Sequence, residues 1–336
     1  MSKDLNSNKI DFLAIGDIVT DAFIRIKDAS VHCDINKKNC QICMRFGDKI
    51  PYESVTEVKA VGNSPNAAVS AARLGLKSAL ATNIGSDREG EEAIETLEKE
   101  KVNTGLIKTH AGEKTNYHYV LWYEDERTIL IKHTEFNYQL PVFNEPRWIY
   151  LSSLAENSVP FHHEIASYLT KHPQVKLAFQ PGTFQIKLGS EELGDIYKVT
   201  EVFFCNVEEA HKILNSSEGK EIGELIKGIH QLGPKIVVIT DGPNGAYGSD
   251  GKNIWQMPIY PDPAPPLDRT GAGDSFSSTF TSALALGKSI PEALAWAPIN
   301  SMSVVQKIGA QAGLLKRSDL EEFLKKAPTE YKAKKI

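Results

Sequence analysis

The sequence predicts an α/β fold in which helices cover a mainly parallel sheet. Three observations carry that expectation. Apolar runs of strand length recur at residues 10–15, 78–84, 148–151, 175–179, 202–205 and 235–240, each suited to a strand buried on both faces. Stretches of helical length alternate with them, such as residues 89–101, which set Ala93, Ile94 and Leu97 on one side, and residues 161–169. The runs end in polar or turn-forming residues: Gly16-Asp17, Gly85-Ser86-Asp87, Gln180-Pro181-Gly182 and Asp241-Gly242. In an open α/β sheet that edge is where ligands gather.

A chain of 336 residues with 41% hydrophobic content suffices for one large domain or two ordinary ones. The formal net charge of −5 gives no electrostatic footprint for nucleic acid or a membrane surface. No apolar run approaches the length of a bilayer span, and the first nine residues lack the apolar segment of a signal peptide, so a cytoplasmic enzyme is expected. Four cysteines in a chain this long do not form a disulfide framework. Three of them crowd together as His32-Cys33, Cys40 and Cys43. By ligand type this set suits a structural zinc ion, with reduced thiols packing a small β insert as the alternative.

The chemistry concentrates in Asp268-Arg269-Thr270-Gly271-Ala272-Gly273-Asp274-Ser275-Phe276. Residues 275–286 are rich in Ala, Ser, Phe and Leu, free of Pro, and followed by Gly287, which reads as a helix with its stop. The unpaired N–H groups of a first helical turn, at the positive end of the macrodipole, suit an anion. Gly271 and Gly273 carry no Cβ and let a phosphoryl group approach. Asp274 then stands where it can take the proton of an attacking hydroxyl while amides hold the migrating charge. Gly287-Lys288-Ser289 is not a P-loop, since the first Gly and the preceding strand are both missing.

Asp268 to Asp274 matches the D-x-T-G-A-G-D signature and resembles the PfkB (ribokinase-like) family of carbohydrate and nucleoside kinases. The resemblance implies a three-layer α/β/α domain over residues 9–330, with a small β lid built from residues 18–60 and 112–134. It implies that Asp274 is the catalytic base and that Gly271, Ala272 and Gly273 form the anion hole. ATP and Mg²⁺ are the implied cofactors, and some relatives also use a monovalent cation near the anion hole. A sugar or nucleoside is the implied acceptor, and some relatives pair as homodimers through the lid.

The other elements take their places in order. After the first run come Asp17 and Asp21, placed to read a polar substrate, and the resemblance assigns sugar hydroxyls to Asp21. Residues 22–60 abandon the strand–helix beat for short β-prone pieces. Val61-Gly62-Asn63-Ser64-Pro65-Asn66 leads into an Ala-rich helix stopped at Gly75, with Asn63 and Asn66 offering amides to hydroxyls and Gly62 giving room. This resembles the family's first signature, although Val61 stands where a Gly is usual.

The tracts Tyr117–Tyr123 and Arg127–Ile131 have the aromatic and β-branched content of a hairpin with Glu124-Asp125-Glu126 at its tip. Arg127 is a candidate for substrate hydroxyls or a substrate phosphate. Tyr117, Tyr119 and Trp122 equally suit a nucleoside base. Further on, Asn206 and Glu209 form an N-x-x-E pair at a helix start, suited to holding water around magnesium. Thr240, Gly242 and Gly245 form a glycine turn that the resemblance lays along the nucleotide. Asn300, in a late helix over residues 293–308, is a candidate contact beside adenine. A sugar kinase is expected, with a nucleoside kinase or a catalytically silent sugar or nucleotide sensor of the same fold as the alternatives.

Overall fold

The computed structural model describes residues 9–34, 40–124, 126–216 and 219–336. A ten-stranded sheet runs through the molecule. Seven strands are parallel, in the spatial order Asn103–His110, Ser78–Gly85, Phe12–Ile15, Trp148–Leu151, Lys176–Phe179, Thr200–Asn206 and Ile236–Thr240. Ala246–Ser249, Ile254–Met257 and Lys334–Lys335 extend it antiparallel.

The period of two along each strand divides the core between the two faces. Phe12, Ala14, Trp148, Tyr150, Val202, Phe204 and Val238 join one hydrophobic cluster, under the helices Asn63–Arg73, Ala272–Ala285 and Ile290–Val304. Leu13, Ile15, Ile149, Leu151, Phe203, Cys205, Val237 and Ile239 join the other, under Val159–Lys171, Val207–Ile213 and Ile222–Leu232. The result is the expected layering of helix, sheet and helix. Strands buried on both faces explain why these runs are continuously apolar rather than alternating.

A second, four-stranded sheet stands apart, in the order Tyr52–Val61, Val19–Ile26, Asn116–Tyr123 and Glu126–Leu130. Val19–Ile26 follows Phe12–Ile15 almost at once, so a single crossing from one sheet to the other sets Asp17 and Asp21 on either side of the junction. The hairpin expected around Glu124 is present, with Tyr123 paired to Glu126. Asp125, at its tip, lies outside the described residues.

A third small sheet pairs Ser30–His32 with Gln41–Cys43, and here the zinc expectation is corrected. Cys33 and Cys40 are joined as a disulfide, so neither sulfur is a thiolate that could ligate an ion. Cys43 keeps its thiol near the Gln41 carbonyl oxygen, and His32 Nε2 lies 3.2 Å from Ser30 Oγ. No cluster of three His, Cys, Asp or Glu side chains among the described residues is arranged to hold a metal. No described helix is long and apolar enough to cross a membrane.

Candidate active site

The helix Ala272–Ala285 begins without a side-chain cap, on Gly271 in the left-handed conformation at φ 79°. That conformation favours glycine, and a Cβ at Gly271 would collide with Ala310. The loop ahead of it is pinned by Asp268, which is buried. Its Oδ1 accepts from Thr270 N at 3.0 Å and Thr270 Oγ1 at 2.8 Å, and its Oδ2 accepts from Gly309 N at 2.8 Å. A Cβ built on Gly273 would meet nothing nearer than Gln180 Nε2 at 3.9 Å, so the backbone there stands open.

Asp274, in the first turn, is the focus of three carboxamides from distant parts of the chain. Asn63 Nδ2 donates to Oδ1 at 2.7 Å, Asn66 Nδ2 to Oδ2 at 2.8 Å, and Gln180 Nε2 to Oδ1 at 3.1 Å. Gln180 is itself oriented, because its Oε1 accepts from Ser277 Oγ at 2.8 Å and from the Tyr150 hydroxyl. Asn66 is fixed in the same way, its Oδ1 accepting from Gln311 Nε2 at 2.9 Å. Burial pushes the Asp274 carboxyl above the usual aspartate range; the amides of Asn66, Asn63 and Gln180 pull it down, and the charge of Asp21 raises it further.

Asn63 and Asn66 belong to the helix Asn63–Arg73, whose N-cap is Gly62 at φ 116°. A Cβ there would stand 2.8 Å from the Asp17 carbonyl oxygen, which accounts for the glycine. Asp17 itself is spoken for within the protein. The Tyr138 hydroxyl donates to Oδ1 and Oδ2 at 2.8 and 3.0 Å, and His133 Nδ1 lies 2.7 Å from Oδ2. Asp21 is freer: His118 Nδ1 is 3.4 Å from its Oδ1, which makes no hydrogen bond within the protein.

On the far side of the helix start lies a cleft of about 410 Å³. Thr240, Gly242 and Gly245 line one side, and Ala272, Gly273, Phe276, Ser301 and Met302 the other. Asn206 and Glu209 form a reciprocal capping box at the start of Val207–Ile213, at 2.8 and 2.9 Å. Burial raises the Glu209 carboxyl above its ordinary range, the Asn206 backbone and Lys212 oppose the shift, and the charge of Asp274 adds to it.

Two expected contacts lie elsewhere. Asn300 is fully buried, its Nδ2 donating to Thr279 Oγ1 at 2.7 Å and its Oδ1 accepting from Leu315 N at 2.9 Å. It ties two helices to a loop, and its neighbours Ser301 and Met302 reach the cleft instead. Arg127 stacks its guanidinium 3.8 Å over the Trp122 ring and donates to the Leu267 carbonyl oxygen at 3.0 Å, with Asp268 3.7 Å away. It clamps the second sheet to the loop that precedes Gly271.

Gln180, His118, His133 and Tyr138 carry no role in the sequence reading. Gln180 had a usable signal, since it ends an apolar run at the ligand edge. His133 and Tyr138 lie in residues 131–147, which have no regular structure and hence no periodicity to read.

Residues 26–317 match the pfkB family of carbohydrate kinases. The chain is 28% identical over 271 residues to the ribokinase of Bacillus subtilis, covering 78% of this chain and 87% of that protein. Its fold is similar to that of Arabidopsis thaliana ribokinase complexed with ribose and ATP, with a TM-score of 0.79 at 20% identity over 94% of this chain and 99% of the other. It is also similar to the Methanocaldococcus jannaschii nucleoside kinase, with a TM-score of 0.75 at 17% identity over 95% of this chain and 100% of the other. The chain belongs to the pfkB family and has the ribokinase-like fold. It is an ATP-dependent carbohydrate kinase.

Proposed function

We propose that the chain transfers the γ-phosphoryl group of ATP to a hydroxyl of a sugar or sugar derivative, with Asp274 as general base. The observation that carries this reading is the placement of Asp274, held by Asn63, Asn66 and Gln180 at an uncapped helix start beside an open cleft. The nucleotide occupies the cleft between Thr240, Gly242 and Gly245 on one side and Ala272 and Gly273 on the other. The N–H groups from Gly271 to Asp274 stabilise the charge on the phosphoryl group as it passes, and Asp274 takes the proton of the acceptor hydroxyl.

The residues at Asn206 and Glu209 fit a magnesium ion. Burial raises the Glu209 carboxyl, the charge of Asp274 adds to that shift, and a divalent cation relieves the repulsion. Magnesium keeps several waters and binds mainly through substrate phosphates, so one carboxylate and one amide acting through water suffice on the protein side. When bound, the ion neutralises phosphate charge.

A sugar is favoured over a nucleoside by the second sheet. Trp122 is buried, and the guanidinium groups of Arg25 and Arg127 lie 4.8 and 3.8 Å from its ring. Tyr117 and Tyr119 alternate to the opposite face from His118, and the Tyr117 hydroxyl donates to Glu57. No slot for a base is built from these rings, whereas Asp21 and the Asn63–Asn66 pair offer groups for hydroxyls. Pairing of two chains through this sheet, whose strands expose Val55, Tyr119 and Leu130, belongs to the same proposal.

The test is ATP consumption by the purified chain over a panel of sugars, sugar phosphates and nucleosides. Turnover with a sugar or sugar derivative is expected. Turnover confined to nucleosides, or with no member of the panel, overturns the reading.

A further inference from the structure

Asp17 and Asp21, at the junction of the two sheets, each face a histidine. His118, on the strand Asn116–Tyr123, and His133, just beyond Glu126–Leu130, have ring centroids 5.2 Å apart. Each turns Nδ1 toward a carboxylate: His133 lies 2.7 Å from Asp17 Oδ2, and His118 lies 3.4 Å from Asp21 Oδ1. An ionised carboxylate only accepts, so His133 carries its proton on Nδ1, toward Asp17, and its Nε2 is the ring atom left for a ligand. The His118 side chain is 10% exposed and the Asp21 side chain 12%. Yet neither His118 Nε2 nor Asp21 Oδ1 makes a hydrogen bond within the protein.

A buried polar atom left unpaired costs about 1–3 kcal/mol, and such atoms in a native structure call for an explanation. Two of them on adjacent side chains, next to the proposed transfer point, are explained by a ligand that completes their bonds. Gly62 packs its backbone against the Asp17 carbonyl oxygen, and the next residue, Asn63, donates to Asp274, so the junction that carries Asp17 and Asp21 adjoins the acidic end of the helix Ala272–Ala285. Phe184 sets its ring edge-on to His133 at 5.5 Å and bounds the far end of the row.

We propose that His118 and His133 determine acceptor specificity: their Nε2 atoms, together with Asp21, bind the acceptor hydroxyls distal to the one that is phosphorylated. Asp17 and Tyr138 are positioning residues, fixing the His133 ring from behind through Nδ1. Asp17 thereby acts through His133 rather than on the acceptor, since both its oxygens are already engaged. The inference rests on the reading of the chain as a sugar kinase with its transfer point at Asp274.

The experiment takes the acceptor found by the panel, with its monodeoxy analogues, and measures kcat and KM for acceptor and for ATP in the full chain and three variants. His118→Leu is expected to raise acceptor KM about tenfold or more, as loss of one well-placed hydrogen bond does, while ATP KM stays near its original value. The preference for the parent sugar over one deoxy analogue should collapse in that variant. His118→Gln, whose amide can present either its oxygen or its nitrogen near the Nε2 position, should restore part of both effects. Tyr138→Phe should raise acceptor KM by a smaller factor and leave ATP KM alone.

An unchanged acceptor KM with undiminished discrimination in folded His118→Leu overturns the proposal. So does an equal rise in acceptor KM and ATP KM, which marks a general loss of structure. If the wild-type chain turns over no sugar at all, the sugar-kinase reading itself fails and takes this inference with it.

Discussion

Two helices begin near the cleft between Thr240 and Gly273, and they begin in opposite ways. Val207–Ile213 starts on Asn206, whose side chain accepts from the Glu209 backbone while the Glu209 side chain accepts from Asn206 N. Its first turn is satisfied by its own residues. Ala272–Ala285 starts on Gly271 with no side-chain cap, and the acidic residue in its first turn is held by three side chains from two other parts of the chain instead of by its own backbone. A closed helix start completes a structure. An open one leaves N–H groups for an anion, and the chain maintains it only by supporting the turn from outside.

The comparison can be broken most sharply at Asp274. Asp274→Asn should lower kcat by about a thousandfold, within the range for loss of a general base, while ATP still binds by calorimetry. Near-normal turnover would remove Asp274 from the chemistry. As the proposed base, Asp274 works only when ionised, and burial raises its pKa. The acid limb of the kcat/KM profile should therefore lie above the pH at which an ordinary aspartate titrates, with activity falling as pH falls through it. An acid limb at the ordinary position would show that the burial has no consequence for catalysis.

A middle-sized effect is expected at Gly271. Gly271→Ala must hold a left-handed φ and relieve a clash with Ala310, a strain of about 1–3 kcal/mol. Thermal unfolding should show a Tm loss of several degrees, with activity reduced beyond what the loss of folded protein explains. Unchanged activity in the folded fraction would mean that the open turn tolerates displacement.

The smallest effect belongs to the closed start. Asn206→Ala should cost about 1 kcal/mol of stability as a lost cap and raise the Mg²⁺ concentration needed for half-maximal activity. A fall in kcat comparable with that of Asp274→Asn would erase the distinction between the two starts.

The layering and the open helix start were legible in the sequence because both are written locally. Apolar runs of four to eight residues declare buried strands, and Gly-x-Gly followed by an Ala-rich, Pro-free stretch declares a helix that begins on a flexible backbone. The second sheet was legible as a loss of the strand–helix beat. The fates of individual polar side chains were not. Asn300 and Arg127 have the chemistry of ligand contacts, but Asn300 bonds Thr279 and Leu315, and Arg127 is drawn onto the Trp122 ring and the Leu267 carbonyl oxygen. Three crowded cysteines suggest a metal by type, and only the approach of Cys33 to Cys40 decides for a disulfide.

By itself, then, the sequence determined which segments become strands and helices, where the polar ends of the sheet strands fall, and that a helix begins after the Gly271 turn. Backbone preference and burial pattern act over a few residues, so they can be read from neighbours in the chain. Only the tertiary structure decided that Asn63, Asn66 and Gln180, which lie 211, 208 and 94 residues from Asp274, meet on its carboxylate. It alone brought His118 and His133 alongside Asp21 and Asp17. Hydrogen bonds of that span depend on how the two sheets and their covering helices pack, and no local pattern records that packing.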